Sequence, residues 1–369
     1  MRYRKLGDTG LSVSEIGFGT IPILSGDVPV LPDYYSPDIE TAVSIMRNAF
    51  DMGCNLYDTA IPAEYGDAEY KLGQFAAGIP REEIIIADKA RKYTGKEMRG
   101  AVLRSCGNLK TDPDIYFVHQ VDEKNADTVF SPNGALEALC LLKREGVIRF
   151  VGIASHYYNV LERAANDSRV DVLQASGNIL ECGVLNRLEE NGLTRRKGFL
   201  LNKVYAAGLL TRVFSPGELI SGILHYSVSS ALIGIGTFEQ AAAAMAIEYP
   251  SCDITFQEAL DVLGRQCDVI ACDRCQRCVC RYHHEIHSVI RYYNYFRLGK
   301  EAWAMEKLAM HIFRLHRHCM CCKERSCVSS CPRSLPIPAL IGMICLETDK
   351  WRAGRKGQSL GRDAGDGPV

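Results

Sequence analysis

Apolar positions in the first 250 residues follow two spacings that alternate along the chain. Short runs such as 83–89 (EIIIADK) and 115–119 (IYFVH) are typical of buried strands, because most side chains before the last are apolar. The stretch after Asp38 instead repeats its apolar residues every three or four positions, which predicts an amphipathic helix. Regular alternation of strand and helix predicts parallel strands joined by right-handed crossovers.

Eight strand–helix units can be counted in this way, the first strand closing an N-terminal hairpin at residues 2–20. Eight units in roughly 250 residues predict a closed (β/α)8 TIM barrel over residues 1–255 rather than an open doubly wound sheet. No GxGxxG motif follows the first strand, which also argues against a Rossmann fold. The predicted strands are 15–19, 54–58, 83–89, 115–119, 149–155, 170–174, 199–204 and 231–235.

Polar residues end several of these apolar strands. A single polar residue at a strand end is more often a surface cap or a satisfied core residue than a functional group. In a parallel barrel, however, the carboxyl ends of all strands share one rim, and active sites lie at that rim. Their convergence therefore predicts a site, joined by Tyr65 from a polar loop after the second strand. The strand-end residues are Asp58, Lys89, His119, Ser155, Gln174 and Lys203.

Composition narrows the possible partners of the chain. Of its 369 residues 24% are charged, and the formal net charge is −1, with Lys and Arg scattered along the sequence. We therefore expect neither nucleic acid nor a membrane surface as a partner. No apolar run approaches the ~20 residues that span a bilayer. The N-terminal stretch also lacks the apolar core of a signal peptide, so the expected location is the cytoplasm.

Cysteine is distributed very unevenly. The chain has 16 cysteines, and eleven of them fall between Cys267 and Cys345. Thiols stay reduced in the cytoplasm, so this density predicts metal or redox chemistry rather than disulfides. The change in composition predicts a second, mainly helical domain over residues 262–350. The polar, glycine-containing segment 353–369 is predicted to be a disordered tail.

Two groups of cysteines in this region have the spacing of metal ligands. CxxCxxC with a later CP is the signature of bacterial-type iron–sulfur ligation, in which the fourth cysteine of each run serves the other cluster. The runs CxxCxxCxC and CxxCx4Cx3CP resemble this signature, although the gap from Cys322 to Cys327 is two residues longer than in it. Zinc is the alternative, because two CxxC pairs about 44 residues apart could form a four-thiolate site. Three closely spaced thiols per run favour iron–sulfur. The predicted ligands are Cys272, Cys275, Cys278 and Cys331 for one 4Fe–4S cluster, and Cys319, Cys322, Cys327 and Cys280 for the other.

Several motifs, arriving in order, resemble the aldo-keto reductase superfamily over about residues 1–250. They are DTA at 58–60, Tyr65-Gly66, ADK ending at Lys89, FVH ending at His119, and GALEALCLLKREGVIRFVGIASH at 134–156. The resemblance implies a TIM barrel that reduces a carbonyl group with NADP(H) or NAD(H), or catalyses the reverse oxidation. The implied catalytic residues are Asp58, Tyr65, Lys89 and His119, and the implied cofactor-binding residues are Ser155, Gln174, Asn178 and Lys203.

The implied roles agree with the chemistry of hydride transfer. The developing alkoxide needs a proton. Tyr65 can supply it if the ammonium of Lys89, held by Asp58, stabilises the phenolate, and His119 could donate a hydrogen bond to the substrate oxygen. Asp58 and Tyr65 are, however, seven positions apart, where the family usually has five. Gln240 stands where a basic residue for the 2′-phosphate of NADP is common, which leaves NAD and NADP both open.

The cysteine-rich region is similar to the ferredoxin-like domain attached to one branch of the same superfamily, although the Cys278-x-Cys280 spacing is shorter than in that pattern. Together the resemblances imply an oxidoreductase for a small carbonyl or alcohol substrate. Its clusters would either exchange electrons with a one-electron carrier protein or be structural. Two alternatives stay open: a non-catalytic protein that senses the redox state of nicotinamide, and a zinc-stabilised reductase without electron transfer.

Overall fold

The computed structural model of the chain divides into two compact units, Met1–Phe256 and Gln257–Val369. It describes residues 1–25, 35–246, 255–299 and 302–360. Within these ranges, no helix is long and apolar enough to cross a membrane.

The first unit is a closed barrel of eight parallel strands, which confirms the predicted TIM-barrel fold. Neighbouring strands pair in sequence order, and the last strand closes the barrel against the first, with Ala231 opposite Ile16. An antiparallel hairpin precedes the barrel, formed by β1 (Tyr3–Lys5) and β2 (Ser12–Ser14). The barrel strands are β3 (Ile16–Gly19), β4 (Leu56–Asp58), β5 (Ile85–Ala90), β6 (Ile115–Val121), β7 (Phe150–Ser155), β8 (Val172–Ser176), β9 (Gly198–Asn202) and β10 (Ser230–Gly234).

Helices of this unit are amphipathic and begin at recognisable caps. The first follows Asp38, whose carboxylate accepts a hydrogen bond from the backbone N–H of Thr41. Ser215 and Glu218 form a capping box at the start of another. The helices are α1 (Ile39–Asp51), α2 (Pro62–Tyr65), α3 (Ala68–Ala76), α4 (Gly95–Leu109), α5 (Ala126–Phe130), α6 (Ala135–Arg144), α7 (Tyr158–Asn166), α8 (Cys182–Glu190), α9 (Pro216–Leu224) and α10 (Phe238–Met245).

The barrel interior is a packed apolar core that is covered at one end by the hairpin. Leu6 and Val13 of the hairpin share one buried cluster with strand residues such as Phe117. Gly152 of β7 faces that ring, and a Cβ there would collide with it, so the close approach requires glycine. Gly7, in the hairpin turn, lies against Gly198 at the start of β9. The hairpin therefore occupies the amino-terminal end of the barrel, opposite the rim where polar residues were predicted to meet.

In the second unit, all regular secondary structure of the described residues is helical. Apolar side chains such as Ile290, Leu308, Ile312 and Ile341 form its core, and several cysteines pack at the edge of that core. The last helix extends to Leu360, so the first part of the tail predicted over 353–369 is helical, and residues 361–369 lie outside the described residues. The helices are α11 (Phe256–Gln266, starting at the boundary), α12 (Ile286–Gly299), α13 (Ala302–Ala309), α14 (Ile312–Cys321), α15 (Ser326–Ser329) and α16 (Ile337–Leu360).

Candidate active site

Three of the predicted residues are directly hydrogen-bonded at the carboxyl-terminal rim. The Lys89 Nζ atom donates to Asp58 Oδ2 at 2.5 Å and to the carbonyl oxygen of Thr59 at 2.7 Å. The Gln174 Nε2 atom donates to Asp58 Oδ1 at 2.7 Å. Asp58, Lys89 and Gln174 are all buried. Both carboxylate oxygens thus have partners, as a buried ion pair requires.

The Lys89 ammonium stays charged in spite of its burial. Burial lowers the pKa of this group more than any other single influence, but the neighbouring groups, Asp58 first among them, together outweigh it, so the pKa lies above its ordinary value. The Nζ atom lies 5.1 Å from the centroid of the Tyr65 ring. A permanent positive charge therefore faces the phenol ring.

Tyr65 is carried by a short helix, so the predicted polar loop at this position is wrong. Helix α2 starts with Pro62, whose ring presets the backbone angle of a first helical position, and ends at Tyr65. Gly66 follows with φ +55°, and a Cβ there would collide with the carbonyl oxygen of Ser25. This helical turn accommodates the longer segment between Asp58 and Tyr65 and still leaves the Tyr65 ring beside Lys89.

His119 contacts a carboxylate that the sequence analysis missed. Its Nδ1 atom is hydrogen-bonded to Glu64 Oε2. The Glu64 Oε1 atom accepts a hydrogen bond from the backbone N–H of Arg91 at 2.7 Å, and its Oε2 atom lies 3.1 Å from Arg91 Nε. The imidazole also packs edge to face with the Tyr65 ring, the two centroids being 6.5 Å apart. Glu64 and His119 are 6% and 7% exposed, so this carboxylate belongs to the site.

The backbone around His119 explains its orientation and why the strand does not end there. The register of β6 against β7 shifts between Val118 and Val121, and Gln120 within that shift has φ +51°. Such a bulge turns neighbouring side chains to new directions and is common near active sites. The strand continues to Val121, so the predicted strand end at His119 is a bulge within the strand.

In the Glu64–His119 pair the carboxylate is the charged group. Burial lowers the pKa of His119, and the hydrogen bond with Glu64 only partly opposes this. For Glu64, burial raises the pKa, but the interactions with His119 and Arg91 outweigh it, so this pKa lies below its ordinary value. The pair is therefore a neutral imidazole beside an ionised carboxylate.

Of the predicted cofactor-binding residues, Gln174 most clearly retains a hydrogen-bonding atom for a ligand. Its Oε1 atom is buried, and among the described residues it has no hydrogen-bond partner. Ser155 ends β7, but its hydroxyl donates to the carbonyl oxygen of Val121 at 2.6 Å and accepts from the N–H of Tyr157 at 3.0 Å. One lone pair of that hydroxyl remains for a ligand.

Asn178 and Lys203 are in contact, but Asn178 bonds to the backbone of Lys203 and not to its side chain. The Asn178 Nδ2 atom donates to the carbonyl oxygen of Lys203 at 3.0 Å, and its Oδ1 atom accepts from the N–H of Leu180 at 2.9 Å. Asn178 thus caps the turn after β8. The predicted strand 199–204 contained Lys203. In the structure β9 ends at Asn202, and Lys203 follows it with φ +60°.

The predicted metal ligands line two separate cavities of the second unit. Each cavity has four of the eight cysteines in its wall, in the same two sets that the spacing pairs. Among the described residues, no group of three His, Cys, Asp or Glu side chains is close enough to hold a single metal ion. Cys321, the spare thiol beside Cys322, is exposed. The sets are Cys272, Cys275, Cys278 and Cys331, and Cys280, Cys319, Cys322 and Cys327.

The fold and the rim define a parallel barrel with a buried Asp–Lys pair beside a tyrosine and a histidine. Residues 15–198 match the family model for the aldo/keto reductase family. The chain carries an aldo/keto reductase family domain, and the resemblance found in its motifs is confirmed for that part. The family match ends before the cysteine-rich unit.

Individual relatives agree with the family match. The chain is 34% identical over 163 residues to L-galactose dehydrogenase of Arabidopsis thaliana, which is 42% of this chain and 48% of that protein. It is 25% identical over 268 residues to NADH-specific methylglyoxal reductase of Escherichia coli, covering 65% of this chain and 79% of that protein. The chain thus spans about half the length of the plant protein.

Solved structures extend the similarity to the whole barrel of a relative. A crystal structure described as an aldo-keto reductase from Pseudomonas aeruginosa superimposes with a TM-score of 0.56 and 29% identity. The alignment covers 66% of this chain and 94% of that one.

Proposed function

We propose that the barrel unit is a nicotinamide-dependent oxidoreductase that reduces the carbonyl group of a small molecule or oxidises the corresponding alcohol. The observation that carries this proposal is the buried Lys89–Asp58 ion pair with its ammonium 5.1 Å from the Tyr65 ring. The names of the relatives, a sugar dehydrogenase and a methylglyoxal reductase, support a small carbonyl or alcohol as the substrate class.

The side chains divide the work of proton transfer. In the reducing direction, the O–H bond of Tyr65 breaks and its proton moves to the carbonyl oxygen while a hydride reaches the carbonyl carbon. Lys89 stabilises the phenolate that remains, and Asp58 keeps Lys89 in place. In the oxidising direction, the phenolate takes the hydroxyl proton back. Bound NADH or NADPH would supply the hydride in the reducing direction, and bound NAD⁺ or NADP⁺ would accept it in the oxidising direction.

The residues at the rim fit a nicotinamide. The buried Oε1 atom of Gln174 would accept a hydrogen bond from the carboxamide NH2 group, and Ser155 and Asn178 retain one acceptor or donor position each. Gln240 is engaged locally: its Oε1 atom accepts from the N–H of Gly236 and its Nε2 atom donates to the Tyr35 hydroxyl, both at 2.8 Å. A neutral amide at that position favours NADH over NADPH, because a 2′-phosphate would lack a charge-assisted partner there.

For the second unit we propose two 4Fe–4S clusters rather than zinc. Two cavities, each with four cysteines in its wall, support this assignment. Three closely spaced thiols in each run favour a cubane cluster over a single tetrahedral ion. Clusters of this kind need reduced thiols during assembly, which suits the cytoplasm.

An acidic one-electron carrier protein is the partner that the second unit favours. Val279, Tyr282 and Met320 are 58%, 37% and 71% exposed. The first two line the cavity of Cys280, and Met320 adjoins Cys319. The exposed cations Arg281 and Arg325 line the same cavity. Arg281 is ion-paired with Glu324, so Arg325 is the cation that would attract an acidic partner to these exposed apolar side chains.

The experiment uses the full chain purified without oxygen. We expect a brown protein with about eight irons per chain that binds NADH and consumes it with members of a broad aldehyde and ketone panel. Binding without turnover on the whole panel would contradict the reductase and favour a nicotinamide sensor. A colourless protein that contains zinc would contradict the clusters and leave the barrel proposal standing.

A further inference from the structure

Glu64 has no role in the proton transfer described above, yet its carboxylate is among the most constrained polar groups of the rim. It is 6% exposed, and both of its oxygens have partners from the chain. It lies directly before Tyr65 in α2, within the segment that is longer than in the family pattern. A residue that only closed this turn would not need to reach a histidine on a barrel strand.

The contact with His119 determines where the imidazole can carry its proton. Because Glu64 is ionised, its Oε2 atom only accepts, so the Nδ1 atom of His119 must be the donor. A neutral imidazole has one N–H, and its Nε2 atom is then an acceptor. The role expected from the sequence, in which His119 donates to a carbonyl oxygen, would require a second proton on the ring.

We propose that Glu64 is a positioning residue that keeps the proton of His119 on Nδ1, so that Nε2 accepts a hydrogen bond from the hydroxyl group of an alcohol substrate. This inference rests on the proposed function of the rim. The neutral ring thereby holds an alcohol at the rim, and its single hydroxyl proton turns from Nε2 to the Tyr65 phenolate before the hydride leaves the carbon. It orients a carbonyl compound only after it has taken up a second proton, which makes reduction the direction favoured by acid.

The charged groups around His119 come from several elements. Glu64 of α2 favours the protonated ring, as does Asp58 of β4, whereas Lys89 of β5 opposes it. Arg91, after β5, contacts the carboxylate of Glu64, and the Tyr65 ring lies edge to face with the imidazole. Removing the charge of Glu64 therefore removes the strongest influence that favours the imidazolium.

The direct test is the tautomer of His119, read from the ¹⁵N shifts of the imidazole in the full chain and assigned with a His119→Asn variant. We expect a single Nδ1–H tautomer in the wild type and a mixture in Glu64→Gln, whose amide can donate as well as accept. Glu40→Gln is the matched control, because Glu40 is an exposed carboxylate in the first turn of α1. It should leave the tautomer unchanged.

Arg91→Met removes the ion pair between Arg91 and Glu64 but keeps the carboxylate of Glu64. It therefore tests whether that carboxylate alone positions His119. We expect it to retain the Nδ1–H tautomer. If Glu64→Gln fails to fold, Glu64→Asp, which keeps the charge but shortens the reach, should give the same mixture. An unchanged tautomer in a folded Glu64 variant overturns the proposal.

The pH profile supplies a second readout. In the wild type, kcat/KM for reduction should rise as the pH falls through the pKa of His119. In Glu64→Gln this rise should move to lower pH by about one unit or more, because a favourable neighbouring charge is lost. A profile that does not move overturns the proposal. The tautomer needs no turnover, so an inactive wild type would contradict the proposed function without deciding the role of Glu64.

Discussion

The barrel rim and the cysteine-rich unit both collect reactive side chains, but they hold them by opposite means. At the rim, Lys89, Asp58 and Gln174 satisfy one another through hydrogen bonds of 2.5 and 2.7 Å. In the second unit, the cysteines line cavities, and burial raises the pKa of Cys278 to about 11. The protein alone therefore prefers neutral thiols there. The rim is preorganised by its own charges, whereas the second unit depends on what its thiols bind.

This contrast is tested most strongly by the loss of one cysteine ligand. Cys322→Ser should lose about half of the roughly eight irons and unfold part of the second unit, while the barrel keeps its thermal transition. The measurement is iron content together with circular dichroism and limited proteolysis.

Cys321→Ser is the matched control, because this neighbouring thiol is exposed and should not be a ligand. The opposite result, in which Cys321→Ser loses iron and Cys322→Ser keeps it, would show that the spare thiol is the ligand. Iron loss in neither variant would contradict the cluster assignment.

The rim should respond to a broken ion pair by losing stability rather than by losing a bound group. Lys89→Met leaves the carboxylate of Asp58 buried without its partner, and we expect a cost of about 3–5 kcal/mol in the free energy of unfolding. Urea denaturation of the barrel measures it. Arg99→Met breaks an exposed ion pair with Glu145, whose side chain is 43% exposed, and should lower the stability far less because solvent screens the pair. Equal costs for the two variants would contradict preorganisation of the rim by buried charge.

A smaller effect concerns the pH dependence of barrel stability. Because the pKa of His119 in the folded protein lies below its ordinary value, this residue contributes stability above pH ~6.5. The contribution is lost as the pH falls through the folded pKa, since the unfolded chain binds the proton more readily. His119→Asn should therefore flatten the decrease in stability on the acid side of pH ~6.5. A decrease of unchanged steepness would mean that other groups cause it.

Much of the barrel could be predicted because its signal is periodic and repeated. The apolar runs at 83–89 and 115–119 correspond to β5 and β6 with shifts of one or two residues. The four-residue helix that ends at Tyr65 was missed, since so short an element has no period to detect. The predicted loop nevertheless placed Tyr65 after the carboxyl end of β4, where the candidate site lies.

Glu64 could not be identified from the sequence for a different reason. A carboxylate next to a tyrosine has no characteristic spacing, and its partner His119 lies 55 positions away. The contact depends on the bulge at Gln120, which no sequence pattern indicated. The same limit applied to Ser155 and Asn178, whose hydrogen bonds become visible only in the folded chain.

The most direct test of the account is the rate of hydride transfer in Tyr65→Phe, compared with Tyr70→Phe, which alters an exposed tyrosine on α3. Both variants should bind nicotinamide as the wild type does, measured by the fluorescence of the reduced cofactor. Tyr65→Phe should reduce its best carbonyl substrate at least roughly 100-fold more slowly, with Tyr70→Phe unchanged. Full activity in a folded, cofactor-binding Tyr65→Phe protein would contradict the assignment of Tyr65 as the proton donor.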